Sequence, residues 1–396
     1  MYRPVLLLLF ALPLVAEAVD TKVSGFVGVE LRGFVSDARF ADQLNGFQPS
    51  LVIQPEFEAE TGNDEGQISV IPFARLDSRD DRRTHIDFRE AYWSRVEKEW
   101  EVLAGINQVF WGVTESHHLV DIINQIDFVE DVDNEDKLGQ PMLNLATERD
   151  WGALSLFVMP WFRERTFPEK RGRLRFPLVV DHDVEYESDA GQHHVDVAVR
   201  YSHFIDEWDL GLHYFRGTGR EPRLVPNRQG TRFIAHYDQI DQVGADVQYT
   251  HEAWLWKFEG IVRNQHGDHF GAMVGGFEYT LYQIINTPAD LGLLLEYQYD
   301  RRDKDPAKAP QTMFDDDVFI GARLALNDVR DSELLIGVAV DREDGSSLLS
   351  MEVERRLDNH STLELESRWF LNVDESNSLS AFKDDSFVAV RFTRYF

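Results

Sequence analysis

The densest run of ligand-type side chains is Glu130-Asp131-Val132-Asp133-Asn134-Glu135-Asp136, which has the oxygen-rich composition of a calcium loop. It lacks the glycine and the terminal glutamate at the spacing an EF-hand needs. It therefore reads first as a solvated charge run, with a structural calcium site as the rival. No other cofactor is expected. His117-His118, Asp181-His182-Asp183, His193-His194 and His266-x-Asp268-His269 also carry metal-binding groups. Adjacent histidines on a strand point to opposite faces, so neither pair makes a chelate and no metal is expected. No serine, histidine and acid set stands out as a hydrolase would require. The chain has no cysteine to serve as nucleophile or thiolate ligand, and it reads as a non-enzyme.

Another group of side chains suits contact with a passing solute. Residues 111–128 do not alternate. Leu119, Ile122, Ile123 and Ile126 recur at helical spacing, with Thr114 as N-cap and Glu115 in the first turn, which predicts a short amphipathic helix. It would sit in a long inserted loop, about 111–141, and a loop of that length is functional or ordered by its surroundings. Folded into a pore, it would offer Trp111, Glu115, His117, His118, Asp121, Asn124 and Asp127 as constriction residues. The alternative is a cap lying over the rim.

These residues need a frame, and the rest of the chain alternates. Segments such as 21–35, 51–60, 254–263, 291–300, 348–357 and 387–396 place apolar residues on one face and polar residues on the other. The count is about 18 such strands (16–18), with 234–249 counted once although it could be two. Short connections (61–65, 97–99, 205–207, 286–290, 329–331, 358–361) contrast with long ones (111–141, 160–192, 217–230, 301–316, 372–385). That is the pattern of an all-β, up-and-down, transmembrane antiparallel β-barrel with turns at one rim and loops at the other. Aromatic residues near strand ends, among them Trp100, Trp208, Trp254, Trp256 and Tyr279, suit girdles at the lipid interface. If the apolar face meets lipid, the lumen wall carries Glu30, Arg32, Lys257, Glu259, Arg263, Glu278, Glu296 and Arg323. It continues with Glu352, Glu354, Arg356, Glu364, Glu366, Arg368 and Arg391. This interior is ionic with both signs present, and for most of these residues a cross-strand ladder is the plainer role.

Both ends of the chain fit a membrane barrel. Residues 1–18 have a charge at Arg3, an apolar core and Ala16-Glu17-Ala18, the form of a secretory signal peptide, leaving 19–396 as one barrel domain without an N-terminal plug. The chain closes on Val388, Val390, Phe392 and Phe396, alternating on one strand face. This run resembles the C-terminal signal read by the barrel-assembly machinery of Gram-negative bacteria, with Arg394 as a departure that could snorkel at the membrane edge. The mean hydropathy of −0.36 is no obstacle, because only every second strand residue faces lipid. A formal net charge of −30 excludes nucleic acid as a partner.

Several motifs are family-like: Arg89-Glu90-Ala91-Tyr92, then Gly105-Ile106-Asn107-Gln108-Val109-Phe110-Trp111-Gly112, then Leu119-x-Asp121-x-Ile123-Asn124-x-x-Asp127. With 241–246 and 321–328 they resemble a largely uncharacterised, porin-like family of proteobacterial outer-membrane barrels with distant kinship to alginate-export barrels. The resemblance implies a barrel and an outer-membrane address with both termini periplasmic. The expected function is a passive channel for small polar or amphipathic solutes, narrowed by the inserted loop. The rivals are an export or uptake duct for a polymer or hydrophobic compound, working with periplasmic partners, and a non-conducting structural surface barrel. Expected partners are lipid, lipopolysaccharide, the assembly machinery and the solute; the chain is a monomer or a homotrimer.

Overall fold

The computed structural model describes residues 21–61 and 66–396. The signal-peptide expectation for residues 1–18 lies outside the described residues. In chain order the strands are β1 (Thr21–Phe34), β2 (Phe47–Thr61), β3 (Gly66–Asp77), β4 (His85–Glu97), β5 (Trp100–Asn107), β6 (Gln140–Arg149) and β7 (Gly152–Met159). There follow β8 (Glu185–Tyr186), β9 (Asp196–Ile205), β10 (Trp208–Thr218), β11 (Arg223–Pro226), β12 (Phe233–Tyr237), β13 (Gln239–His251) and β14 (Trp254–Gln265). The last are β15 (Asp268–Leu281), β16 (Asp290–Asp300), β17 (Asp316–Ala325), β18 (Glu333–Asp341), β19 (Ser347–Asp358), β20 (Ser361–Leu371) and β21 (Phe387–Tyr395).

Eighteen of these strands form one antiparallel sheet. Each pairs with the next along the chain, and β1 pairs with β21 (Val29↔Phe392), closing the barrel. The other three, β8, β11 and β12, make a small separate sheet. The expected strand 234–249 is therefore two elements: Phe233–Tyr237 joins the small sheet and Gln239–His251 the barrel. The break falls at Asp238, whose carboxylate accepts from Arg223 Nε and Nη2 at 2.7 and 2.8 Å, just after Tyr237 has been buried completely.

Alternation along each strand sorts side chains by solvent. On β1, Val29 and Leu31 are 54% and 46% exposed on the outer surface, whereas Glu30 and Arg32 are 1% and 3% exposed inside. The same parity puts Leu51, Ile53 and Phe57 of β2, and Val390 and Phe392 of β21, outside. A surface this apolar is stable where lipid replaces water, since moving one such side chain out of water is worth roughly 1.5–3 kcal/mol. The rim holding the chain's C-terminus has tight turns after β4, β6, β9, β13 and β19. Lys98, Asp206 and Glu252 turn through positive φ there (54°, 53°, 53°). Next to these turns Trp208 lies 4.5 Å from Tyr249, and Trp254 lies 4.6 Å from Tyr279 and 5.6 Å from Trp256. Arg394 has a local partner at this rim: its guanidinium donates to Asp358 at 3.0 Å and to Ser361 Oγ at 2.7 Å.

The opposite rim carries the long connections. Aromatic residues from several of them pack together, with Phe128 stacked on Phe176 (5.9 Å), Phe162 edge-on to Tyr237 (4.8 Å) and Phe382 beside Phe370 (5.9 Å). The predicted helix in 111–128 is absent; the described residues contain only short 3-10 turns, none of them in that segment. The reason lies in where the backbone donors go. The N–H groups of Val113, Thr114 and Val120 donate to the Glu259 carboxylate, and those of Glu115 and Ser116 to Glu296. Both acceptors belong to the barrel wall, so these groups need no carbonyl one turn earlier in the chain.

Candidate functional site: the lumen and the loop inside it

The connection 108–139 between β5 and β6 lies inside the barrel. Asn124 ties its two ends together: its Oδ1 accepts from Val109 N at 2.9 Å, and its Nδ2 donates to Asn107 O and Leu138 O, both at 2.9 Å. Leu119, Val120, Ile122 and Ile123 then pack against inward-pointing Leu103, Met142, Phe157, Phe215 and Val274. Trp111 wedges into this cluster, 5.6 Å from the Phe157 ring and 5.2 Å from His213, with the Arg200 guanidinium over it at 5.0 Å. The interior is thus not ionic throughout. The wall from β5 to β15 contains an apolar sector, and the loop covers it.

Two wall carboxylates hold the loop's tip. Glu259 accepts from Val113 N (2.7 Å), Thr114 N (3.0 Å), Thr114 Oγ1 (2.8 Å) and Val120 N (3.2 Å). Glu296 accepts from Glu115 N (2.8 Å), Ser116 N (2.9 Å) and Ser116 Oγ (2.5 Å). His118 stands between Glu135 (3.2 Å) and Glu259 (3.8 Å). Burial opposes its protonation, but hydrogen bonds and the charges of those two carboxylates overcome it and hold the imidazolium up to a pKa of about 10.

The acidic run is not a free solvated loop, which corrects the first reading of 130–136: its first residues are tied to wall arginines, while Glu135 and Asp136 stay exposed. Glu130 pairs with Arg75 at 2.5 Å, Asp131 with Arg32 at 3.1 Å, and Asp133 with Arg368 at 2.5 Å. Just before the run, Asp127 is fully buried between Arg89 (2.8 Å), His85 (3.2 Å) and the Thr166 hydroxyl (2.8 Å). Burial alone would raise its pKa, yet the His85 hydrogen bond and the Arg89 charge set it well below the usual carboxylate range. Glu30 completes the network on the wall, paired with Arg83 (2.8 Å), Arg391 (2.7 Å) and Arg75 (3.4 Å). Guanidinium groups thus already neutralise these carboxylates. The group His85, Asp127 and Glu130 has cation-binding spacing, but Arg89 and Arg75 already neutralise it; Asp315, Asp317 and Asp341 form a second such group near the loop rim. The histidine pairs do not converge: His117 faces Phe314 (5.8 Å), and His193 faces Trp161 (4.5 Å) while His194 bonds Asp196 (2.8 Å).

Beside the docked loop an open cavity of about 550 Å³ remains. Thr114, Glu115, Ser116, His118 and the acidic run bound it on the loop side, and the inner face of β17–β21 bounds it on the other. Of the seven constriction candidates, Glu115 and His118 line this space. Trp111, Asn124 and Asp127 and the Asp121 side chain are buried between loop and wall instead, because they anchor the loop. Of the wall candidates, Arg323, Glu352, Glu354, Glu364, Glu366, Arg368 and Arg391 line the cavity. Arg356 borders a second space of about 350 Å³ together with Asp331, Asp358 and Tyr395. Glu115 bridges Arg323 (2.6 Å) and Lys257 (3.6 Å), and Lys257 also approaches Glu278 (3.9 Å). Arg263 pairs with Glu221 (2.5 Å) and Gln242 (2.8 Å), away from this cavity.

No protein-family profile matches the chain, and no curated protein matches it. Among solved structures it is similar to the trimer form of the outer-membrane protein OmpT of Vibrio cholerae, at 10% identity and a TM-score of 0.49, over 96% of this chain and 100% of that one. Two point variants of the porin of Rh. blastica are similar at 9% identity, with TM-scores of 0.45 and 0.46, over 95% of this chain and all of theirs.

Sequence reading missed Arg75 and Arg83, which bond Glu130 at the head of the acidic run, and Glu333 and Phe319, which line the cavity. Glu333 shares the inward parity of Leu335 but falls one residue before the expected strand 334–341. The inward phase of Arg323 and Gly321 would have placed Phe319.

Proposed function

We propose that this protein is a passive diffusion channel of the Gram-negative outer membrane, narrowed from within by the loop 108–139. The single observation that carries this reading is the cavity between the docked loop and the β17–β21 wall. It is lined by charged side chains on both sides, and a space so lined holds water. An eighteen-stranded barrel is wide enough to leave such a path once one sector has been filled. In this reading the rim of tight turns and the C-terminus face the periplasm and the long loops face lipopolysaccharide. Val388, Val390, Phe392 and Phe396 serve the assembly machinery. A homotrimer is the expected assembly of such barrels, with the apolar outer wall as the contact. The glutamates of the wall carry the wrong sign for a polyanion duct. The aromatic packing among the outer loops favours one rival, a barrel sealed at that rim.

The test is single-channel conductance of refolded mature protein in a planar bilayer, with and without residues 113–138. Gel mobility before and after heating confirms that the deletion variant folds. Steady conductance that rises on deletion is expected. Absence of conductance in both folded forms refutes the channel and favours the sealed barrel.

A further inference from the structure

We infer that the solute of this channel is an organic cation with an apolar body. The inference rests on the channel reading and specifies what passes. Its first support is a patch of like charges that the fold compensates only in part. Glu333 on β18, Glu354 on β19 and Glu364 on β20 are direct cross-strand partners on the inner face, and Glu352 and Glu366 form a parallel pair one step along. Directly opposed residues have Cβ atoms ~4.5–5.5 Å apart, where like charges destabilise a sheet. Among the described residues no ion pair joins Glu333 or Glu354 to a basic group. The arginines nearby are already engaged: Arg356 pairs with Asp331, Arg368 serves Asp133, Glu352 and Glu366, and Arg391 serves Glu30 and Glu364. A ladder built for stability would alternate signs, as Glu30, Arg391 and Glu364 do.

The second support is independent of charge. On the loop-rim side of the glutamates the same cavity is walled by Phe314, Phe319, Ala339 and Leu348. The Phe319 ring packs against Gly337, where an added Cβ would come within 2.3 Å of its Cζ. Gly337 therefore leaves room for the largely buried Phe319 ring, whose edge borders the cavity beside the glutamates. A volume of about 550 Å³ is in the range of small-molecule sites. Glu333, Glu352, Glu354, Glu364 and Glu366 outnumber Arg323, Arg368 and Arg391 on this wall, which disfavours an anion, and a bare inorganic cation gains nothing from the apolar strip. An ammonium or guanidinium compound with a hydrocarbon or aromatic portion satisfies both.

The test uses the refolded full-length mature protein in a planar bilayer, with phenylethylammonium as probe and ethylammonium and phenylacetate as controls. Expected are a reversal potential of cationic sign in a KCl gradient and block of the potassium current by phenylethylammonium at a concentration at least tenfold lower than either control. Combined Glu333→Gln, Glu354→Gln and Glu364→Gln should weaken both by tenfold or more. Leu348→Ser should weaken only the block, leaving the reversal potential unchanged. A conducting pore with no cation preference, or one blocked equally by ethylammonium, overturns the inference and leaves the channel standing. If no current is seen, the channel reading fails. Saturation-transfer NMR of phenylethylammonium on the detergent-solubilised protein then decides the site alone: a signal lost in the triple variant upholds it, and no signal overturns it.

Discussion

Replacing Glu259 by alanine removes the acceptor for four donors at the tip of the inner loop. Val113 N is partly open to the lumen, and water can replace its partner. Thr114 and Val120 are 4% and 0% exposed, so their N–H groups are left without one. Each orphaned donor costs about 1–3 kcal/mol, so the docked tip loses about 2–6 kcal/mol. That is a shift of roughly 30-fold to more than 10⁴-fold toward undocked conformations. Glu296 and the Trp111–Ile123 cluster still hold the rest of the loop, so the expected result is a folded barrel with larger mean conductance and strong open-channel noise. Glu259→Gln separates two explanations. Three of the four donors, Val113 N, Thr114 N and Thr114 Oγ1, share one carboxylate oxygen, which an amide oxygen can replace. The glutamine variant should therefore be much quieter than the alanine variant. Recordings of the alanine variant indistinguishable from wild type would refute the claim that this carboxylate docks the loop. A glutamine variant as noisy as alanine would show that charge, rather than acceptor geometry, does so.

Arg75→Ala should lower stability by about 3–5 kcal/mol, because it strands the buried Glu130 and weakens the pairing of Glu30, and adding Glu130→Ala should recover part of the loss; thermal unfolding in detergent measures both. Trp111→Ala should cost about 3–5 kcal/mol by opening a cavity under the loop, and should make the loop susceptible to trypsin at Lys137 in the otherwise folded barrel. The His118 contact gives a pH window. Its pKa is raised from 6.5 to about 10, so its contribution to loop docking is complete below pH 6.5 and is lost as pH rises through about 10. Channel noise should grow reversibly toward pH 10 in the wild type and be insensitive to pH over that range in His118→Gln.

Strand positions were legible because a period of two is a local property, set by residues two apart that see the same solvent. Lumen-facing Glu30, Glu259 and Arg391 follow from that phase alone. The loop was legible only in part. Leu119, Ile122 and Ile123 announced burial by their spacing, but spacing reports which side chains are covered, not which backbone they ride on. The acceptors that make helical hydrogen bonding unnecessary, Glu259 and Glu296, lie far along the chain in other strands. The acidic run was misjudged for the same reason: its partners Arg32, Arg75 and Arg368 are scattered over three strands, and no local pattern links them. The apolar inner sector did leave a trace. In β7 both faces are apolar, with Leu154 and Leu156 outside and Phe157 and Met159 inside, so alternation fails where the loop packs.

The contacts of the inner loop also have a mechanical meaning. Its acidic run is fastened to β1, β3 and β20, its tip to β14 and β16, and its apolar face to strands from β5 to β15. A wide barrel one sheet thick is a thin hoop, easily flattened by pressure from the side. Spokes running from one hub to widely separated points on the hoop oppose that flattening. The same loop bounds the open path, so one set of contacts sets both the roundness of the wall and the width of the path.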